Sequence, residues 1–362
     1  MGRFGITRSQ LREELADLVG VRVGLAVGIE ELDPLINKEL PDLGPNPLDG
    51  HHMRSAELNS VAFEALSKFG DPWTEFGPYP RAEAWRRLGK DAAIFIGMRD
   101  EIHSQAHLNE ANTGNWRHPY DPIRCRSSKQ SDPYASVDLF LHYADLTKID
   151  RAALEKRVTS RFGDYGSTAC RILLAAIEAE QRLDYWGRIS RQSTSALVEL
   201  SSLFDGGQWS NEKSDALDQR LVNYLGANLD DVTRIHWRQF EKLAATFFLH
   251  QGMHVELGPG SNDDGVDLRI WPSAEALDQP PLIIAQCKRQ RQKVSKVVIK
   301  ALWADMCAEK AERGLIVTSS TISPGAARTI SARGYGIDIA DGAAIRRWIQ
   351  ELRTPGTGIT AA

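Results

Sequence analysis

The chain is 362 residues long, which suits two or three domains and needs no disulfide staples to bury a core. With 42% hydrophobic and 25% charged residues it has the composition of an ordinary globular protein, and no apolar run is long enough to cross a bilayer. The net charge of −4 hides a local asymmetry: Lys288, Arg289, Arg291, Lys293, Lys296 and Lys300 fall between residues 286 and 300 with no acidic side chain among them. Such a stretch suits a polyanion, although a solvated charged face is the usual fate of charge runs. The cysteines, Cys125, Cys170, Cys287 and Cys307, are scattered and form no Cys-x-x-Cys pair. Neither a zinc ribbon nor a disulfide framework is indicated, and a reducing, cytoplasmic compartment is expected. Met1–Gly20 is broken up by charges and does not read as a signal peptide.

In chain order, a helix is predicted near Ser9–Val19, followed by a Gly/Pro-rich stretch and a loop over Pro45–His52. Leu58, Val61, Ala62, Ala65 and Leu66 are spaced like one helical face and predict a helix over Ser55–Phe69. Asp71–Pro80, rich in proline, glycine and aromatic residues, reads as an ordered turn region. Arg81–Ala111 reads as helix with an interruption at Gly89, and Asn112–Pro133 as a long loop. Further helices are expected at Tyr134–Tyr143, Arg151–Phe162, Ser167–Ile189, Ser193–Phe204 and Asn211–Leu225. Residues 1–205 are therefore expected to form an all-α domain. Asp205-Gly206-Gly207 is its predicted hinge, and residues 206–229 a linker or helix.

The texture changes after Leu229. His236–His250 is amphipathic, with Phe240, Leu243, Ala244, Phe247 and Phe248 on one face, and Gly252 ends it. Short β-type runs follow at His254–Leu257, Gly265–Ile270, Leu282–Gln286, Gly314–Thr318 and Ile337–Ile339. Helices are expected at Lys296–Glu312, Pro324–Arg333 and Ala343–Leu352. The order α-β-β-β-α-β-α-β-α over residues 230–352 predicts an α/β domain with a mixed central sheet flanked by helices, and 353–362 is left as a flexible tail.

Two of these strands carry the chemistry. Asp264-Gly265-Val266-Asp267-Leu268 lies at the first, and Ile283-Ile284-Ala285-Gln286-Cys287-Lys288 forms the second. Side chains alternate along a strand, so Gln286 and Lys288 share a face and Cys287 points to the other. A hairpin through Pro272, Pro280 and Pro281 would set Asp267 beside Gln286 and Lys288. Asp267 offers a carboxylate, Gln286 an amide oxygen and Cys287 a backbone carbonyl, a donor set for a hard divalent cation. Such a cation polarises a phosphate and lowers the pKa of water. Lys288 is placed to steady developing negative charge. Arg289, Arg291, Lys293, Lys296 and Lys300 would hold the nucleic-acid backbone on either side.

An acidic residue followed by a strand with Gln two positions before Lys resembles the PD-(D/E)xK nuclease superfamily, and this Gln form resembles its Mrr-like type IV restriction endonucleases. Trp237-Arg238-Gln239-Phe240-Glu241 resembles that group's opening helix, and Gln251-Gly252-Met253-His254-Val255 its entry to the first strand. Gly314-Leu315-Ile316-Val317-Thr318-Ser319-Ser320 and Ile337-Asp338-Ile339-Ala340-Asp341-Gly342 resemble its last two strands. Met253 departs from the aromatic usual there, and Gly258–Asp264 holds fewer glycines than in many relatives.

By resemblance, Asp267, Gln286 and Lys288 are the catalytic triplet, and Glu241 is the helix carboxylate near the metal. The resemblance further implies Mg²⁺ or Mn²⁺, DNA as substrate, a homodimer or larger assembly, and a role in bacterial defence against foreign DNA. The helical domain would then recognise the target, sense a signal or dock a protein or small-molecule activator. A catalytically silent nuclease fold that only binds DNA or a partner stays open, as does a nuclease acting on RNA or structured DNA. No GxxxxGK[ST] motif indicates an intrinsic translocase.

Other residues invite weaker readings. Asp264 suits either a turn before glycine or a supporting place behind the metal ligands. Ser319 and Ser320 are expected to cap the following helix, with phosphate contact as the alternative. Cys287 is expected to pack in the core. His103 and His107 have metal-ligand spacing but read more simply as surface histidines, with His118 further on. Arg99-Asp100-Glu101-Ile102-His103 resembles the HEPN ribonuclease element but is one residue too short. Trp73–Tyr79 and Arg124–Lys129 suit either ligand recognition or packing.

Overall fold

The computed structural model describes residues 3–48, 50–89, 149–182, 197–204, 216–260 and 265–353, with a few isolated positions between 93 and 146. The expected helix at 134–143, the loop at 112–133, the hinge at 205–207, His103, His107, His118, Arg124–Lys129 and Asp264 lie outside the described residues. So does all of the expected tail beyond Arg353.

The chain divides into two compact units, one of residues 1–72 with 191–358, the other of residues 73–190 with 359–362. These units do not follow the division at about residue 205 suggested by composition. The first 72 residues are grouped with the C-terminal sheet domain, and the stretch between them is an insertion.

In the first unit, β1 (Arg3–Thr7) leads into α1 (Arg8–Val23) through Thr7, whose hydroxyl accepts the Gln10 N–H at 3.2 Å. Gly24 ends α1 in the left-handed region, at φ 78°. Next come β2 (Leu25–Ala26), α2 (Ile29–Glu39), β3 (Gly50–Arg54) and α3 (Ser55–Lys68). β1 and β3 pair antiparallel, so this part of the chain is not all-α, and the expected loop over Pro45–His52 gives way to strand at Gly50. Arg8 is 2% exposed, and its two terminal nitrogens donate to Asp33, Asn37 and the carbonyls of Leu43 and Gly44.

The second unit contains α4 (Pro80–Arg87), which stops before Gly89 at φ 60° as expected, then α5 (Arg151–Phe162) and α6 (Asp164–Gln181). Its core gathers Phe76, Leu88, Met98, Leu154, Leu173 and Ile177. The turn region before it holds a 3₁₀ segment at Pro72–Phe76.

The chain returns to the first unit with β4 (Val198–Glu199) and a 3₁₀ turn at Leu200–Leu203. A helix was expected over Ser193–Phe204. The apolar spacing there instead serves a parallel pairing of β4 with β2, a contact distant in sequence that local periodicity cannot show. α7 (Gln219–Ala227) and α8 (Trp237–His250) follow. Gly252 closes α8 at φ 80°, with its own N–H on Leu249 O and the Met253 N–H on Phe248 O, a Schellman end.

The remaining elements are β5 (His254–Leu257), β6 (Leu268–Trp271), β7 (Ile283–Lys288), α9 (Lys296–Glu309), β8 (Arg313–Thr318), α10 (Pro324–Arg333), β9 (Ile337–Ala340) and α11 (Gly342–Leu352). They form the expected mixed sheet, in order β5-β6-β7-β8-β9. The first two pairings are antiparallel and the last two parallel, with α9 and α10 as crossovers. One face packs Ile284, Ile316 and Ile337 against Ile299, Leu302, Met306 and Ala326. α8 lies against β5 and β6, and α11 against β8 and β9.

A buried junction joins the early and late parts of this unit. The Arg22 guanidinium meets Asp71 at 3.0 Å, with both side chains at most 3% exposed. Arg353 donates to the Asp71 carbonyl at 3.2 Å, and Asn228 to the Lys68 carbonyl at 2.8 Å. Gly70, at φ 91°, passes so close to α7 that a Cβ there would lie 2.6 Å from the Asn223 backbone.

Candidate active site

The β6–β7 hairpin fixes the site by register. Leu268 pairs with Ala285, so the next position along the same register sets Asp267 across from Gln286. Hydrogen bonds bracket it there: the Asp267 N–H donates to Ala285 O at 2.9 Å, and the Cys287 N–H donates to Asp267 Oδ2 at 2.6 Å. That last bond is short, as expected of a donor held on a carboxylate. Asp267 is 8% exposed and Gln286 7%. The strand expected from Gly265 begins only at Leu268, because Asp267 is engaged through its side chain at the end of the ladder.

Gln286 Oε1 is buried and has no hydrogen-bond partner among the described residues. An orphaned buried acceptor costs about 1–3 kcal/mol. Gly265 explains how the amide fits. Its φ is 91°, and a Cβ there would lie 2.8 Å from Gln286 Nε2, so only glycine meets both requirements.

Glu241, on α8, is 5% exposed and receives the Arg238 guanidinium at 2.8 Å. The same Arg238 nitrogen donates to Gly258 O at 2.8 Å, tying α8 to the chain that leaves β5. Arg238 was not singled out in the sequence. Its only signal is the i, i+3 spacing to Glu241. Lys288 is half-buried on the Gln286 face, and its carbonyl accepts the Thr318 hydroxyl at 2.8 Å. Burial pushes the Cys287 thiol well above its ordinary pKa, and the negative charges of Asp267 and Glu241 add to this while Lys288 opposes it. Asp267, Glu241 and Lys288 thus all lie close enough to Cys287 to act on it. The Cys287 side chain is half-buried rather than packed in the core as expected.

Arg289, Arg291, Lys293, Lys296 and Lys300 are all exposed. Their backbone is held by the hydroxyl residues after β8. Ser319 Oγ accepts the Gln290 N–H at 3.0 Å and donates to the Gln290 carbonyl at 3.1 Å, and Ser320 Oγ donates to Arg291 O at 3.1 Å. Ser319 and Ser320 therefore do not cap α10. Ser323 does, accepting the Ala326 N–H at 3.2 Å. A bridge between Val294 and Ile322 completes the staple.

Among the described residues no group of three or more His, Cys, Asp or Glu side chains is arranged to hold a metal ion. A set built on one carboxylate, one orphaned amide oxygen and a backbone carbonyl is of a different kind. All its donors are oxygens, which is what Mg²⁺ and Mn²⁺ take, with water completing the shell. The residues fit that group. No helix among the described residues is long and apolar enough to cross a membrane.

Comparison with known proteins follows this geometry. No curated protein matches the chain. A solved structure, the MspJI restriction endonuclease in complex with a 27-mer oligonucleotide, aligns at 18% identity over 50% of this chain and 42% of that one, with a TM-score of 0.26. The alignment thus spans less than half the length of that protein. Residues 232–349 match the Mrr catalytic family model, described as restriction endonuclease, and they begin just before α8 and end within α11. The C-terminal sheet domain of this chain is a restriction endonuclease domain of the Mrr type.

Proposed function

We propose that the protein is a divalent-metal-dependent endodeoxyribonuclease that hydrolyses DNA phosphodiester bonds in the cytoplasm as a defence against foreign DNA. The observation that carries this reading is the unpartnered, buried Gln286 Oε1 opposite Asp267, in a domain of the restriction endonuclease family. Asp267, Gln286 and the Cys287 carbonyl would hold Mg²⁺ or Mn²⁺. When bound, the ion supplies Lewis-acid polarisation of the phosphate and a more acidic water. Asp267 is kept in place by the Cys287 N–H, so its geometry is set before substrate arrives. Lys288 extends from the same strand face to steady the charge gathering on the phosphate. Glu241, offset by Arg238, adds a second carboxylate beside them. The stapled loop presents Arg289, Arg291 and Lys293, and α9 presents Lys296 and Lys300, to the flanking phosphates.

Double-strand cutting would require two such sites, so a homodimer or larger assembly is part of the proposal. The helical region, with its inserted unit, would choose the target or receive an activator. Purified protein incubated with supercoiled plasmid, phage DNA or RNA, with and without Mg²⁺ or Mn²⁺, tests the reading beside Lys288→Ala and Asp267→Ala. Metal-dependent DNA cleavage lost in both variants supports it. Cleavage that persists in both sinks the site. Binding without cleavage of any substrate favours a silent nuclease fold, and cleavage of RNA alone changes the substrate.

A further inference from the structure

Large exposed apolar side chains are few in the nuclease domain. Among the described residues of 232–349 they are Trp237, Leu249, Leu277 and Val297, and Trp237 is the one aromatic. It is 42% exposed at the first turn of α8. Its position is set by the site. Trp237 stands one helical turn before Glu241, on the same face of α8. Arg238, between them, clamps Glu241 to the Gly258 carbonyl. That clamp draws the following chain beneath the indole: a Cβ on Gly260 would lie 3.0 Å from the ring, and Gly260 has φ 81°. The His236 ring stands 5.1 Å from it, and that side chain is committed to capping, accepting the Arg238 N–H at 3.2 Å. On the other side, Arg289 of the basic run reaches the Thr233 carbonyl at 2.8 Å, just upstream of the helix. A seated, half-exposed indole therefore stands one helical turn before a candidate metal-site carboxylate and just after a backbone carbonyl that Arg289, the first exposed cation of the basic run, holds.

We infer that Trp237 is a stacking platform for an unpaired nucleobase next to the scissile phosphate, and that the favoured substrate is DNA with single-stranded character: a single strand, a fork or a gap. The inference rests on the nuclease reading and names its substrate class. The basic run selects a phosphate backbone but is indifferent to strandedness. The ring is not. Bases within a duplex are already stacked on one another, and the groove edges they present are polar, so an indole gains little from them. An unpaired base has a free π-face, and stacking it on an aromatic side chain contributes about 1–3 kcal/mol.

The test is equilibrium binding of the full-length protein to fluorescein-labelled single-stranded, forked and blunt duplex DNA, read by anisotropy in Ca²⁺ with Trp237→Ala, Trp237→Phe and Trp237→Leu. The expected result is a loss of roughly 5–100-fold for Trp237→Ala on single strands and forks. Blunt duplex affinity should stay unchanged, Trp237→Phe should restore most of the loss, and Trp237→Leu should restore little. An equal loss on all three substrates, rescue by Leu as good as by Phe, or no loss at all would overturn the platform. Because binding is read without cleavage, the two readings separate. Cleavage that survives Lys288→Ala removes the assigned chemistry and leaves the strand preference to be judged by affinity alone.

Discussion

Asp71 and Asp267 are both buried carboxylates of the same compact unit, and their surroundings differ in kind. Asp71 faces a guanidinium, Arg22, that is equally buried, while its backbone carbonyl takes a second arginine, Arg353. Asp267 faces a backbone N–H and an amide oxygen that has no partner, with a further carboxylate, Glu241, close enough to act on the same thiol. A buried charge closed off by an opposite charge holds the fold together. A buried carboxylate held by a backbone N–H, with a second carboxylate and an unpartnered amide oxygen near it, is the kind of arrangement kept for chemistry rather than for stability.

The contrast can be broken most forcefully at Asp71. Asp71→Ala leaves Arg22 buried without its carboxylate, and a loss of about 3–5 kcal/mol is expected. Urea unfolding measures it, and the cleavage rate per folded molecule should not change. Asp267→Ala should do the reverse. Plasmid cleavage should fall by at least about 10²-fold while the urea midpoint moves far less. Equal destabilisation by the two variants would erase the distinction.

Gly265→Ala sharpens it on the active side. Forcing a Cβ into φ 91° and against the Gln286 amide should cost about 1–3 kcal/mol and displace the amide, so the midpoint and the cleavage rate fall together. The smallest effect is the most telling. Gln286→Leu removes an acceptor that nothing satisfies, so the metal-free protein should be as stable as wild type or about 1 kcal/mol more stable. Mn²⁺ is expected to raise the Tm of the wild type, and that rise should be absent in this variant. A clearly destabilised Gln286→Leu protein would mean that the oxygen is satisfied without metal.

What was legible beforehand followed from periodicity. The order of elements from α8 to α11 was readable because each is short, regular and bounded by turn residues. Alternation within β7 put Gln286 and Lys288 on one face. The positions that escaped are those set by partners far along the chain. Ser193–Phe204 has helical spacing, yet Val198 and Glu199 pair with Leu25 and Ala26. The β1–β3 pair joins residues 3–7 to 50–54 and has no local signature. Ser319 and Ser320 sit where helix caps are common, and only the fold shows them bonded to a loop about thirty residues earlier. Arg238 looked like any surface arginine until Glu241 and Gly258 were seen on either side of it.

The Asp71–Arg353 contact spans 282 positions of the chain. Its consequence concerns the order in which the protein is made. Chains emerge from the ribosome N-terminus first, and domains fold as they become complete. The inserted stretch is available early, but the junction of the unit bearing the nuclease sheet is not complete until Arg353 has been synthesised. A nascent chain stalled before that residue lacks the Arg353 contact of the junction that ties its first 72 residues to the late part of the unit. On the proposed function, this would delay the cutting unit until Arg353 has been made.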